Sequence, residues 1–336
     1  MAISVYTSTD EKFAFAEQTT WGTAVGDSAA KIGILTEGFG VDNTINFRAP
    51  SRAKAQRYNM AADMIADTKG VVYQTNGLNT PALKDQLDYF LYGVMQNVTE
   101  SSGTPYQKTF TFAQTQPDFS VNGGEFFTLF GQQQVASVSQ KMYDAIISEL
   151  TLTCAPGTED GAMMAAPVFM ARGHSDTANP SGTITYPDQA STDFFYFHDI
   201  KTAHYNASDL ILGENGITIT IRNGAVRLGQ DTGMPQTFAL PRYEVEIQVH
   251  ALWDAGTRAA IAAAEAGTSN TFEFEWGTAG SDGHLEFTGT AKLQNAVNLE
   301  HALEGNFVTL NMVCAGTYGS TEPFQVVLSN VADRSW

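Results

Sequence analysis

ITITIRNGAVRLGQDTGMPQTFALPRYEVEIQVHALWDAGTRAAIAAAEAGTSNTFEFEW, residues 217–276, decides how the rest of the chain is read. It opens on an alternation of Ile217, Ile219 and Ile221 with Thr218, Thr220 and Arg222. A second alternation sets Tyr243, Val245, Ile247 and Val249 against Glu244, Glu246, Gln248 and His250. Period two puts successive side chains on opposite faces of a strand, so each run predicts one buried and one wet face. The Gly- and Pro-punctuated excursion between them predicts a long hairpin. Asp254 is placed to cap a helix running through the Ala-rich segment to Gly267, and TFEFEW returns to alternation. Strand, long hairpin, strand, helix, strand form one unit.

The first half follows the same order. VDNTINF at 41–47 leads into a polar excursion, then the strand-like KGVVYQT at 69–75. Thr80 and Pro81 are expected to open a helix, with proline at its first position. Leu83, Leu87, Phe90, Leu91 and Val94 then mark one helical face. ELTLTCAPG at 149–157 matches FVTLNMVCAG at 307–316, setting Leu150 beside Leu310, Leu152 beside Met312 and Cys154 beside Cys314. We read this as an internal duplication. Further strands are expected near 106–113, 125–131, 133–142 and 145–155, and again near 271–277, 284–293, 295–303 and 306–315. FQVVLSNV near the C-terminus adds one more strand-like run. The apolar stretch 161–173 contains Pro167 and is not expected to be a central strand along its whole length.

A chain of 336 residues has room for about two domains at ~100–200 residues each. Hydrophobic residues make up 43% and aromatics 11%, enough for packed cores. Lys and Arg number 18 against 36 Asp and Glu, a net charge of −18, which argues against a protein that grips nucleic acid. Two cysteines read as small buried hydrophobes and fit a reducing compartment during folding. No run of about 18 apolar residues is present, and MAISVYTSTDEKF lacks a basic n-region and an apolar core, so no membrane span and no secretory signal are expected.

The chemical motifs are missing. There is no phosphate-cradling glycine loop and no Gly-x-Ser-x-Gly elbow. His198, Asp199 and His204 lie close in sequence at no established metal spacing. Glu273 and Glu275, like Glu244 and Glu246, sit two apart on one strand face, whereas a glycosidase pair would flank a bond from different elements at roughly 5–10 Å. No catalytic, cofactor-binding or metal residue is assigned. One basic cluster runs against the acidic trend: Arg48, Arg52, Lys54 and Arg57 in the first excursion, with Arg222 and Arg227 in the second. In so acidic a chain these point to an acidic partner surface, the nearest supply being another copy of the chain.

EQTTWGTA at 17–24, with Glu17, Thr20, Trp21, Gly22 and Thr23, followed by strand, long hairpin, helix and a run of strands, resembles the major tail tube proteins of long-tailed bacteriophages. The duplicated form resembles siphophage tubes whose subunit carries two barrels. That resemblance implies a mainly β fold of two tandem tail-tube β-barrels or sandwiches, each with one helix and a long hairpin. The expected division is an N-terminal arm at 1–35, a first barrel at 36–173, a linker at 174–207, a second barrel at 208–316 and a C-terminal arm at 317–336. It implies a non-enzymatic virion protein, assembled in the host cytoplasm without cofactor. Its partners would be itself, in trimeric pseudo-sixfold rings stacked into a tube, and tail completion, tape-measure and baseplate or tip proteins. Double-stranded DNA would pass through the tube without specific binding. Arg48, Arg52, Lys54, Arg57, Arg222 and Arg227 become candidate inter-ring contacts, and Glu244, Glu246 and Asp67 candidate lumen residues. The alternative is a β-sandwich that binds carbohydrate or a receptor through aromatics such as those at 194–197; a third reading is a glycan-cleaving enzyme.

Overall fold

In the computed structural model, residues 12–36, 40–48, 65–132, 139–177, 182–228, 237–302, 305–314, 322–332 and 334 are described. The period-two runs form strands. In the first half these are β1 (Lys12–Glu17), β2 (Lys31–Ile34), β3 (Gly40–Arg48), β4 (Ile65–Asn76) and β5 (Thr80–Pro81). Helix α1 (Lys84–Met95) follows, then β6 (Gln96–Glu100), β7 (Tyr106–Phe112), β8 (Phe127–Gln132), β9 (Ser139–Cys154) and β10 (Met164–Thr177). Short strands β11 (Ile184–Thr185), β12 (Ile200–Tyr205) and β13 (Ser208–Asp209) lead into β14 (Leu212–Arg222). The second half continues with β15 (Val226–Leu228), β16 (Thr237–Ala239), β17 (Glu244–Leu252), helix α2 (Ala255–Glu265), β18 (Asn270–Trp276), β19 (His284–Ala302), β20 (Gly305–Cys314) and β21 (Phe324–Asn330). The fold is mainly β.

One sheet carries the architecture. Its described strands lie in the order β3-β4-β10-β9-β14-β17-β20-β19. Four strands of the first half repeat the order of four in the second: the two hairpin strands, then the last strand of the half, then the one before it. The halves join where Glu149–Cys154 pairs antiparallel with Ile217–Arg222. Gly216, at φ +57°, makes this approach feasible, because a Cβ there would meet the Cys154 carbonyl at 2.0 Å.

Registers line the apolar residues up across strands. Leu152, Ile219, Ile247, Met312 and Leu293 form one row, and Cys154, Ile217, Val249 and Leu310 another. This face rests on a buried core that draws Leu87, Phe90 and Phe127 from the first half and Trp276, Phe287 and Phe324 from the second. A second layer covers it. Here β2, β1 and β8 lead to the N-terminal half of β9. On the other side β12, β18, β19, β21, β7 and β6 run side by side. Strand β21 therefore stitches β19 of the second half to β7 of the first.

Several expectations change. The helix begins at Lys84, not at 80: Thr80 and Pro81 pair with β10 instead. Its apolar face is as expected, with Leu83, Leu87, Phe90, Leu91 and Val94 all buried. For α2 the cap is Asp254, whose Oδ1 accepts from Thr257 N at 2.9 Å, and Gly267 takes φ +71°. The two strands expected at 133–142 and 145–155 are one, β9, irregular at Asp144 (φ 52°). Likewise 284–293 and 295–303 are one, β19, with a register shift between Leu293 and Asn295. As Pro167 leads one to expect, β10 is central only over parts of its length: it pairs with β9 throughout, but on its other edge only Met164–Ala165 meets β5 and Met170–Ala171 meets β4. The match of 149–157 with 307–316 joins unlike strands. In the sheet β20 occupies the place of β10, and both sequences share only inward alternation. Finally, Phe194 and Tyr196, in the stretch expected to be a linker, bridge to Leu83 and Ala162 of the first half.

Candidate functional site

The opposite face of the joined sheet is polar by the same alternation. Across β9, β14, β17 and β20 its rows read Thr151, Thr220, Glu246 and Val313, then Thr153, Thr218, Gln248 and Asn311. Thr151 and Thr220 hydroxyls lie 3.3 Å apart, and Gln248 Nε2 donates to Asn311 Oδ1 at 3.0 Å. Thr218, Thr220, Glu246, Gln248, Gln294 and Asn311 line a groove of about 310 Å³ on this face. It is a wall of hydroxyls and amides.

Charge gathers at one end, across the joint between the halves. Arg222 Nε donates to Glu149 Oε2 at 2.8 Å and its Nη1 to Glu246 Oε2 at 2.6 Å. The hydrogen bond to Glu246, then that to Glu149, raises the guanidinium's pKa above its ordinary value. Glu244 holds Arg242 at 3.2 Å. So the expected lumen residues Glu244 and Glu246 do share one face with Arg222, and each is matched by an arginine. Asp67 lies on β4 opposite Asn46, and Arg48 ends β3; their side chains fall outside the described residues, as do Arg52, Lys54 and Arg57 entirely. Arg227 sits on β15 opposite Phe238, half-buried, apart from Arg222.

The EQTTWGTA segment is an anchor between halves. Gln18 Oε1 accepts from Thr128 Oγ1 at 2.8 Å and from Asp144 N at 3.0 Å. Asp144 Oδ1 accepts from Gly22 N at 2.8 Å, and Oδ2 pairs with Arg172 at 2.9 Å. This fixes Trp21 against Phe119, Phe126 and Phe238, with ring centroids 5.6, 5.3 and 5.9 Å away. Phe238 belongs to the second half's hairpin, so that hairpin is clasped by the first half.

Sequence reasoning missed a buried polar cluster beside α1. Asp88 Oδ2 takes Lys108 Nζ at 2.8 Å and Arg334 Nε at 2.7 Å; Asn330 completes it, bonding Lys108 at 2.9 Å. Lys108 and Asp88 are fully buried. A signal existed: Lys108 occupies the inward position of YQKTFTF, in line with Phe110 and Phe112. In the second layer the buried His284 lies 3.3 Å from Glu275 and 4.0 Å from Glu286. Glu273 and Glu275 stand on one strand face, as their spacing predicts. Among the described residues no group of three or more His, Cys, Asp or Glu could hold a metal ion, and no helix is long and apolar enough to cross a membrane. Cys154 is buried in the core with its thiol pushed up to about 12 by burial; Cys314 is half-buried and also raised.

A family model described as phage tail tube protein matches residues 8–312 of the chain. No curated protein matches it. The match covers most of the sequence, and the chain belongs to the phage tail tube protein family. It is a structural component of the phage virion, of a family that stacks on itself to build the tail tube.

Proposed function

From membership of that family we propose a specific assembly: three chains close into a pseudo-sixfold ring, and rings stack into a siphovirus-like tube through which genome DNA is ejected. The observation that carries it is the repeated strand order in the joined sheet. Within the chain, the edge of β9 meets β14. By the repeat, the C-terminal part of β19 corresponds to β9 and β3 to β14. Among the described residues neither β3 nor the 292–302 part of β19 pairs on its outer edge. Open edges in a soluble protein must be covered or paired, and pairing β19 of one copy with β3 of the next repeats the internal joint around a closed ring.

In this reading the two halves are the tandem barrels at 36–173 and 208–316, and the hydroxyl-and-amide face of the joined sheet lines the bore. Thr151, Thr218, Gln248 and Asn311 offer neutral hydrogen-bonding groups, while Glu149 and Glu246 neutralise Arg222. Duplex DNA carries a phosphate charge every ~1.7 Å of axis, so a wall of unmatched cations repeated ring after ring would hold it. A wall with its arginines matched lets it slide. The basic residues Arg48, Arg52, Lys54 and Arg57 remain proposed contacts between rings. Negative-stain imaging of the purified protein tests the reading: hollow tubes of uniform bore are expected. A protein that stays monomeric and binds a glycan would favour the carbohydrate-binding alternative instead.

A further inference from the structure

The buried cluster beside α1 holds the parts of a chemical reaction. Lys108 on β7 and Asn330 on β21 are fully shut off from solvent, as is Asp88 on α1. The register sets Lys108 opposite Leu328 and Asn330 opposite Tyr106, so the two are diagonal neighbours on one sheet face. Diagonal neighbours lie about 7–8 Å apart, a gap that a lysine stem spans. Lys108 Nζ donates to the side-chain carbonyl Oδ1 of Asn330 at 2.9 Å. The carbonyl carbon is one bond further, within a rotation of that stem.

Asp88 stands between the amine and the group it would displace. Its Oδ2 accepts from Lys108 Nζ at 2.8 Å and from Asn330 Nδ2 at 3.2 Å. Its Oδ1 accepts from the Tyr89 backbone N–H at 2.9 Å, which fixes the carboxylate's orientation. Asn330 Nδ2 also donates to the Lys84 carbonyl at 3.0 Å, so the amide is held with its carbonyl oxygen turned to Lys108. Arg334 Nε reaches the same Oδ2 at 2.7 Å. Two cations therefore meet on one carboxylate. Of the two only the lysine can release a proton, because a guanidinium stays charged. Once Lys108 is neutral, Arg334 still balances Asp88 and the buried carboxylate keeps a partner.

The geometry points to an intramolecular amide bond between Lys108 and Asn330, made by the folded chain itself. Asp88 Oδ2 takes a proton from Lys108 Nζ, and the neutral amine attacks Asn330 Cγ. A bond forms between Nζ and Cγ, and the bond between Cγ and Nδ2 breaks. Both protons that Nζ gives up pass by way of Asp88 to Nδ2, which departs as ammonium and leaves the carboxylate as it began. The step needs no oxidant. Holding amine and amide in contact supplies an effective molarity of ~10⁵ M or more, and burial keeps water from competing for the carbonyl. The bond ties β7 to β21, the strand that stitches the halves together, and closes a loop across 222 positions of the chain. A cross-link of that span constrains the unfolded chain as a disulfide does. Unlike a disulfide, it is indifferent to a reducing compartment, and both cysteines of this chain are free. It does not depend on how copies of the chain assemble.

The test is the mass of the purified, denatured full-length chain. It should fall below the mass calculated from the sequence by one ammonia. Tryptic digestion should yield a branched peptide that joins the segment holding Lys108 to the segment holding Asn330. Lys108→Arg keeps the charge but removes the nucleophile, and should restore the full mass. The comparison is needed because a backbone succinimide at an Asn-Gly pair, such as Asn76–Gly77, also sheds ammonia. A loss that persists in Lys108→Arg overturns the bond, as does a parent chain of full mass or one without the branched peptide. Asp88→Asn, taken from the soluble folded fraction, should stay unlinked; linkage at the parent's level would overturn its part in moving the protons. If Lys108→Arg does not fold, the parent's own branched peptide, present or absent, decides.

Discussion

Two carboxylates show how residue-scale chemistry sets stability. Glu125 is half-buried, but its Oε1 is shut off from solvent without a hydrogen-bond partner. Burial, then the nearby charge of Glu17, pushes its pKa well above the ordinary value, and Glu17 is itself raised by burial. A carboxyl whose folded-state pKa is raised binds its proton more tightly folded than unfolded. Stability is then greatest below the unfolded pKa and declines as pH rises through the folded one. Glu125→Gln should raise the thermal midpoint at pH 7, and the gain should vanish near pH 4; a variant less stable than the parent at pH 7 would refute this. Asp88 has cationic partners instead. It is the buried counter-charge of Lys108 and Arg334, so Asp88→Asn should cost about 3–5 kcal/mol in denaturant unfolding. Little of this was legible beforehand. Lys108 stood out of its alternating pattern, but its partners come from α1 and from residues 330–334, hundreds of positions away or on another element, and no local pattern links them.

At the scale of elements the sequence was most informative where burial is one-sided. The alternations of 217–222 and 244–249 became β14 and β17 with the expected faces, because a period of two leaves only two ways to place a side chain. His250, expected on the wet face, is instead buried, stacked on Phe307 and covered by the bulge at Gly213–Asn215. A direct test follows. Ile219→Ala should cost about 2–5 kcal/mol, because Ile219 sits in the apolar row between Leu152 and Ile247. Thr220→Ala, on the wet face, should stay within ~0.5 kcal/mol. Equal effects would mean that the two faces are not distinct. Where the reading failed, tertiary pairing overrode local punctuation. Strands β9 and β19 run through positions that looked like breaks, since each is held by one partner over its first part and another over its second. Thr80 and Pro81 carry a helix-start signal but are drawn into pairing with β10.

For the whole molecule, the composition and the order of elements indicated a duplicated β architecture, and family membership agrees with the tube role. What the sequence could not give was the joint. The pairing of β9 with β14 depends on Gly216 allowing two backbones to approach, and no composition or period reports that. The joint is also what links the repeated strand order to the proposed assembly, for it supplies, inside one chain, a model of the contact proposed between chains. The most direct test is an averaged electron-microscopy map of the assembled tube. The account predicts three chains per ring, β19 of each paired with β3 of the next, and Thr151, Thr218, Gln248 and Asn311 facing the bore. Six chains per ring, or that hydroxyl-and-amide face turned to the outer surface, would contradict it.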